Sequence, residues 1–170
     1  MNNNYDATKI NAILDGLIYD RTQSDVDYAL MLERENIVAD ENLRGAYNAS
    51  DRNRVAEAIN YIAGLMRLND VRVKDDWDEY NIVRVQDNAD TIYSLNRLKQ
   101  SLPDITILPP EDLDRLSYIK ANAVERILFE LYGVYERANA FFVGDGYASD
   151  FDVADGEQAF DDNWEWGFTL

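Results

Sequence analysis

Residues 48–70 read NASDRNRVAEAINYIAGLMRLND, and this stretch decides the fold class. Val55, Ile59, Ile62 and Met66 follow one another at spacings of four, three and four, the repeat that gathers apolar side chains on one face of an α-helix. Asn48 or Ser50 supplies the oxygen that caps its first turn. Such a face has to be buried against something, so further helices are expected around it. Gly64 inside it either costs about 1 kcal/mol relative to Ala or marks a close helix contact.

Upstream, GLIYDRTQSDVDYAL (16–30) crowds Asp20, Arg21, Asp25 and Asp27 around a second helix start. Thr22 stands three residues before Asp25, the spacing at which a hydroxyl cap and an acidic side chain satisfy each other's backbone N–H groups, and Ser24 with Asp27 offers the same option. Val26, Leu30, Met31 and Leu32 form its apolar stripe until ERENIVADEN (33–42) turns polar. Downstream, VRVKDDWDEYNIVRV (71–85) alternates only in short pieces and is expected to be an irregular connection packed by Trp77 and Tyr80. Asp87 or Asp90 is expected to cap a third helix carrying Ile92, Leu95, Leu98 and Leu102, ended by Pro103. PDITILPPED (103–112) holds all three prolines and must be extended around Pro109 and Pro110. From Ser117 the longest helix follows, with Val124, Ile127, Leu128, Leu131 and Tyr135 on one face, to about Ala138.

The expected fold is therefore mostly α: a domain of about four helices within residues 1–140, its core in 10–140, followed by an extended acidic, aromatic arm over 141–170. In that arm AFFVGDGYASDF (140–151) flanks Gly144-Asp145-Gly146 with strand formers, a hairpin signal. Residues 139–170 hold eight acidic residues and no Lys or Arg, nearly half of the net charge of −17. Phe141, Phe142, Tyr147, Phe151, Phe160, Trp164, Trp166 and Phe168 are the candidate partner-binding residues. The last three stand two apart, so an extended chain puts their rings on one face. That face either folds back on the domain or adds to a partner's sheet edge, with the acids steering it toward a basic surface.

Composition narrows the chemistry. With 33 acidic against 16 basic residues in 170, phosphate backbones and anionic lipid are repelled, and nucleic acid and membrane are not expected as partners. No cysteine or histidine is present, which removes thiolate nucleophiles, the usual general base and the commonest zinc ligands. The first residues carry no signal-peptide pattern, and no apolar run approaches the roughly 20 residues of a membrane span. On these grounds the chain is expected to be soluble and not exported by a cleaved signal.

The charged motifs have structural readings. Asp25 and Asp27 are two apart and diverge on a helix, unlike the converging carboxylates of glycoside hydrolysis. Asp51-Arg52 reads as an arginine fork on a nearby carboxylate or helix end, with a phosphate site a distant second. An EF-hand loop begun at Asp150 puts Ala154 at position five and Gly156 at seven instead of six, so the register fails. No catalytic, cofactor-binding or metal-binding residues are assigned.

Five stretches resemble a family of small proteins encoded among the late structural genes of tailed phages and prophages of Gram-positive bacteria: LIYDRTQSDVDYA (17–29), GAYNASDRNRVAEAINYIAGLM (45–66), VKDDW (73–77), YIKANAVERIL (118–128) and FFVGDGYA (141–148). The likeness spans about residues 14–148 and leaves the acidic extension unmatched. It implies a non-enzymatic virion part of the tail, baseplate or fibre region, assembled in the host cytoplasm in several copies against other virion structural proteins, with no catalytic residues to transfer. The alternative from another class is an acidic host-directed binder, an anti-defence factor or nucleic-acid mimic.

Overall fold

Thr22 opens a helix as its spacing to Asp25 predicts, and of the two caps offered for the next helix, Asn48 and Ser50, the structure uses Asn48. Thr22 Oγ1 accepts from the Asp25 amide while Asp25 accepts from the Thr22 amide at 2.7 Å. Asn48 Oδ1 accepts from the Ser50 and Asp51 amides, and Asp51 returns the bond to the Asn48 amide at 2.9 Å. The computed structural model describes residues 7–37, 43–102 and 106–144, with side chains between 11 and 138 of those spans. Among the described residues the chain forms five helices and no strand: α1 (Ala7–Asp15), α2 (Gln23–Arg34), α3 (Ala49–Leu65), α4 (Val85–Ser101) and α5 (Tyr118–Gly144).

α3 is the centre, packing against α1, α4 and α5, while α4 also meets α5. Its buried surface is wider than the repeat alone implies. Besides Val55, Ile59 and Ile62 it buries Ala56, Ala58 and Ala63, and small side chains on the flanks let three helices approach one axis. Ile13, Leu14 and Leu17 from the α1 end, Leu95 and Leu98 of α4, and Val124, Ile127, Leu128 and Leu131 of α5 complete the core. Truncating any of the fully buried aliphatics to Ala would cost about 2–5 kcal/mol.

Several expectations are revised. α1 is a helix additional to the four expected; its apolar spacing, Ile13, Leu14 and Leu17, is right but short. α4 starts before the expected cap: Arg84 is the N-cap, and Asp87 serves inside the first turn by accepting from the Arg84 amide at 2.8 Å. α5 runs to Gly144 instead of ending near Ala138, so residues 141–144 are helical and not extended. Nothing between Ala138 and Val143 breaks a helix. Of the hairpin signal, Asp145 and Gly146 lie outside the described residues. On α2 only Leu32 is buried, and Leu30 and Met31 of the predicted stripe face solvent.

α2 and α3 are closed at their C-terminal ends without glycine. Arg67 adopts φ 57°, and the Leu68 amide reaches back to the Ala63 carbonyl at 2.9 Å; Asn36, at φ 52°, does the same for α2 through the Ile37 amide and Leu32 carbonyl. Both are the left-handed C-terminal motif that glycine usually supplies. Gly64 itself has open space where a Cβ would stand, which decides against a close helix contact there. Gly45 is the glycine that matters for packing: a Cβ would fall 1.9 Å from the Asp25 carbonyl oxygen, so the loop before α3 rests directly on the backbone of α2.

The connection over 71–84 is irregular, as expected, and it is held by side chains reading its backbone. Buried Ser94 Oγ accepts from the Arg72 amide at 2.8 Å and lies 3.0 Å from the Arg72 carbonyl. Asn53 accepts from the Trp77 amide at 2.8 Å and donates to the Trp77 carbonyl at 2.9 Å. Trp77 is buried with its indole N–H on the Lys74 carbonyl at 2.8 Å, whereas Tyr80 stands in solvent beside Glu79. No described helix is long and apolar enough to cross a membrane.

Candidate functional site

Arg21, at the end of the α1–α2 connection, is almost wholly buried, and it organises the most concentrated charge in the interior. One of its guanidinium nitrogens lies 2.9 Å from Asp51 Oδ1 and 2.8 Å from Glu125 Oε1. Its Nε donates to the Arg44 carbonyl at 3.0 Å, and its remaining nitrogen to the Ile18 carbonyl. Arg54, one turn into α3, pairs with the same two carboxylates, reaching Glu125 Oε2 at 3.2 Å. Glu125 also accepts from the Ile18 amide. Two cations and two anions thus cancel, and no described buried side-chain polar atom lacks a hydrogen-bond partner.

The backbone of Arg21 is gripped as firmly as its side chain. Asn122 Oδ1 accepts from the Arg21 amide at 3.0 Å and Asn122 Nδ2 donates to its carbonyl at 2.8 Å, one turn of α5 before Glu125. Ion pairs taken out of water repay their desolvation only with such complete bonding, and removing one partner strands the rest. The pairs on Arg54 raise its pKa against the lowering effect of its own burial.

Beside this network lies a cleft of about 650 Å³ at the start of α3. Tyr47 joins the two: its ring centroid is 5.4 Å from the Arg21 guanidinium carbon and 5.6 Å from that of Arg52. Arg52 also lies 5.0 Å from the Trp77 ring, which Lys74 Nζ approaches at 5.0 Å. Desolvation, with the Glu125 carboxylate next, pushes the Tyr47 phenol above its ordinary range. Asn81 and Val83 form the far wall, with Asp78 and Glu79 at the acidic end. Chemically, the cleft offers aromatic edges, amides and carboxylates to a bound side chain.

The structure sorts the residues singled out from sequence. Asp25 caps α2, with Thr22 holding its carboxyl below the usual carboxylate value. Asp27 accepts from Gln23 on the surface at 2.9 Å, and Asp20 pairs with Arg44. Arg21 departs from this capping picture and enters the core. The arginine fork on Asp51 comes from Arg21 and Arg54, while neighbouring Arg52 turns to the two rings and to Asn88 at 3.4 Å. Phe141 and Phe142 fall on the last turns of α5, with side chains outside the described residues; Tyr147, Phe151, Phe160, Trp164, Trp166 and Phe168, and the acidic loop from Asp150, lie outside them altogether. Among the described residues no group of three His, Cys, Asp or Glu is placed to hold a metal.

Sequence reading missed Glu125, Asn122 and Asn53. For Glu125 a signal exists: it interrupts the stripe Ala121, Val124, Leu128, Leu131 and Tyr132 at a position that is otherwise apolar, and a lone acid on a buried face demands a cation. No protein-family model, curated protein or solved structure matches this chain.

Proposed function

We propose that the chain is a structural component of a tailed-phage virion, of the tail, baseplate or fibre region, present in several copies and bound to neighbouring virion proteins partly through residues 141–170. The observation that carries the reading is where the resembling stretches meet. Arg21 from 17–29, Asp51 and Arg54 from 45–66, and Asn122 and Glu125 from 118–128 form one ion-pair network, and Trp77 from 73–77 is pinned beside it through Asn53. The stretches that carry the likeness are the ones that fix the domain's shape. Its most concentrated buried charges are spent on one another, which suits a rigid part more than a reacting one. Large apolar side chains stand exposed outside that core, Tyr80 at 83%, Ile82 at 85% and Val85 at 73%, more than a monomer in isolation gains from displaying.

Quantitative mass spectrometry on particles purified from a lysing host, with heads and tails separated, tests this. A fixed copy number in the tail fraction is the expected result. Presence in heads alone would keep the structural class and move the position. Absence from both would discard the virion reading in favour of the acidic host-directed binder.

A further inference from the structure

The segment from Asp78 to Arg84 opens with a turn at Glu79 and Tyr80 and runs without regular structure from Asn81 to Arg84, whose backbone is extended at φ −95° and ψ 155°. Tyr80 and Ile82 are the most exposed apolar residues of the stretch, while Asn81 and Val83 between them line the cleft. Alternation with a period of two is the mark of extended backbone. Its ends are tied down: the Tyr80 amide donates to Asp78 Oδ1 at 2.9 Å, the Asn81 amide to the Asp78 carbonyl at 3.2 Å, and the Arg84 amide to Asp87 Oδ2 at 2.8 Å. Between them, the N–H and C=O groups of Ile82 and Val83 have no hydrogen-bond partner among the described residues. A tethered, extended stretch with open main-chain groups is what an incoming strand pairs with.

Charge decides what kind of strand. Of the ionisable groups that line the cleft, Arg52 is occupied by the Tyr47 and Trp77 rings and by Asn88, leaving Asp78 and Glu79 to meet an occupant there, while Arg84 stands exposed at the far end of the segment, outside the cleft. The chain as a whole carries −17, so an acidic segment, including residues 158–170 of this same chain, is repelled, and a basic one is drawn in.

We infer that residues 81–84 form a docking edge for an extended, basic segment of a partner protein, which pairs with the main chain of Ile82 or Val83 and sends alternate cationic side chains toward Asp78 and Glu79 over the Tyr47–Arg52–Trp77 cleft. In an antiparallel pairing either residue exchanges both of its main-chain bonds with one residue of the partner. The inference does not rest on the virion reading and holds for any partner of this chemistry.

The test uses the full chain and a blocked hexapeptide, Lys-Val-Lys-Val-Lys-Val, with Glu-Val-Glu-Val-Glu-Val as its control, followed by amide chemical shifts and calorimetry. Expected are shifts centred on Ile82, Val83 and the Trp77 indole N–H, weakening with salt, and an affinity about tenfold or more above that of the acidic peptide. Ile82→Pro removes the amide donor at an exposed site and should abolish binding with the far-ultraviolet circular dichroism unchanged. Glu79→Lys, whose side-chain partner is the exposed Tyr80 hydroxyl next to it and not the core, should weaken binding about fivefold and so serves even where the proline variant unfolds. No shifts at millimolar peptide, equal binding of both peptides, or full binding by both variants would overturn the inference. So would displacement of the basic peptide by residues 158–170, or concentration-dependent shifts at 81–84 without peptide, which would assign the edge to this chain's own tail or to a second copy.

Discussion

Two segments without regular structure, 16–22 between α1 and α2 and 78–84 before α4, are held in opposite ways. In the first, Arg21 is bonded through its amide, its carbonyl and its guanidinium, and its charge is buried against Asp51 and Glu125. In the second the bonds stop at the ends, and Ile82 and Val83 between them stay open to solvent. Neither has a ladder or a helix to order it. Order in such segments comes from polar side chains on neighbouring helices that read the backbone, and where those side chains are missing the backbone is available to someone else.

The contrast can be broken most forcefully at Glu125. Glu125→Ala leaves Arg21 and Arg54 to share the single carboxylate of Asp51 and should cost about 3–5 kcal/mol in urea unfolding; a loss below about 1 kcal/mol would mean that the network does not hold the first segment. Asn53→Ala lies at the border of the second segment. Losing both bonds to Trp77 should cost about 1–3 kcal/mol, and amide exchange should quicken over 71–78 while the bonds at Arg21 stay protected. Thr22→Ala, which removes the cap at the end of the first segment, is expected to cost about 1 kcal/mol.

The same cap carries a pH dependence. The Thr22 bonds depress the Asp25 pKa in the folded state, so their contribution is complete above the unfolded carboxylate value and fades as pH falls through the lower folded value; comparing the acid limb of stability for Thr22→Ala and the parent chain reads it out. At the small end, Ile82→Ser should leave stability within about 0.5 kcal/mol of the parent, sharpening the claim that this residue serves a partner and not the fold. Gly64→Ala, away from both segments, meets open space and should raise stability by up to about 1 kcal/mol.

What was legible in the sequence was local. Thr22–Asp25 announces its helix because a capping box closes within four residues, Asn48 is one of two caps the next start offers, and the faces of α3, α4 and α5 follow from spacing along one element. α1 is short, and its three described core residues span only 13–17, too few turns for a period to stand out. α5 overran its expected end because composition shifts toward acid before any residue stops a helix. The pairing of Arg21 with Glu125 lies beyond any local rule. Each residue is odd in its own stretch, one arginine beside a cap and one acid in an apolar stripe, but only the packing of α3 between α1 and α5 makes them partners. The cleft is hidden for the same reason: Tyr47, Arg52 and Trp77 come from a loop, a helix and a connection.

The clamp on Arg21 has a consequence for synthesis. Asn122 reaches back 101 residues to bond the Arg21 amide, and Glu125 reaches back 107 to the Ile18 amide. A chain leaving the ribosome at roughly 5–20 residues per second presents Arg21 several seconds before the strip of α5 that carries Asn122 and Glu125 exists. During that interval Asp51 and the Arg44 carbonyl are the long-range partners within reach of Arg21, and the second carboxylate and the clamp on its backbone await the last helix. The domain is therefore expected to close in one late step, when α5 emerges.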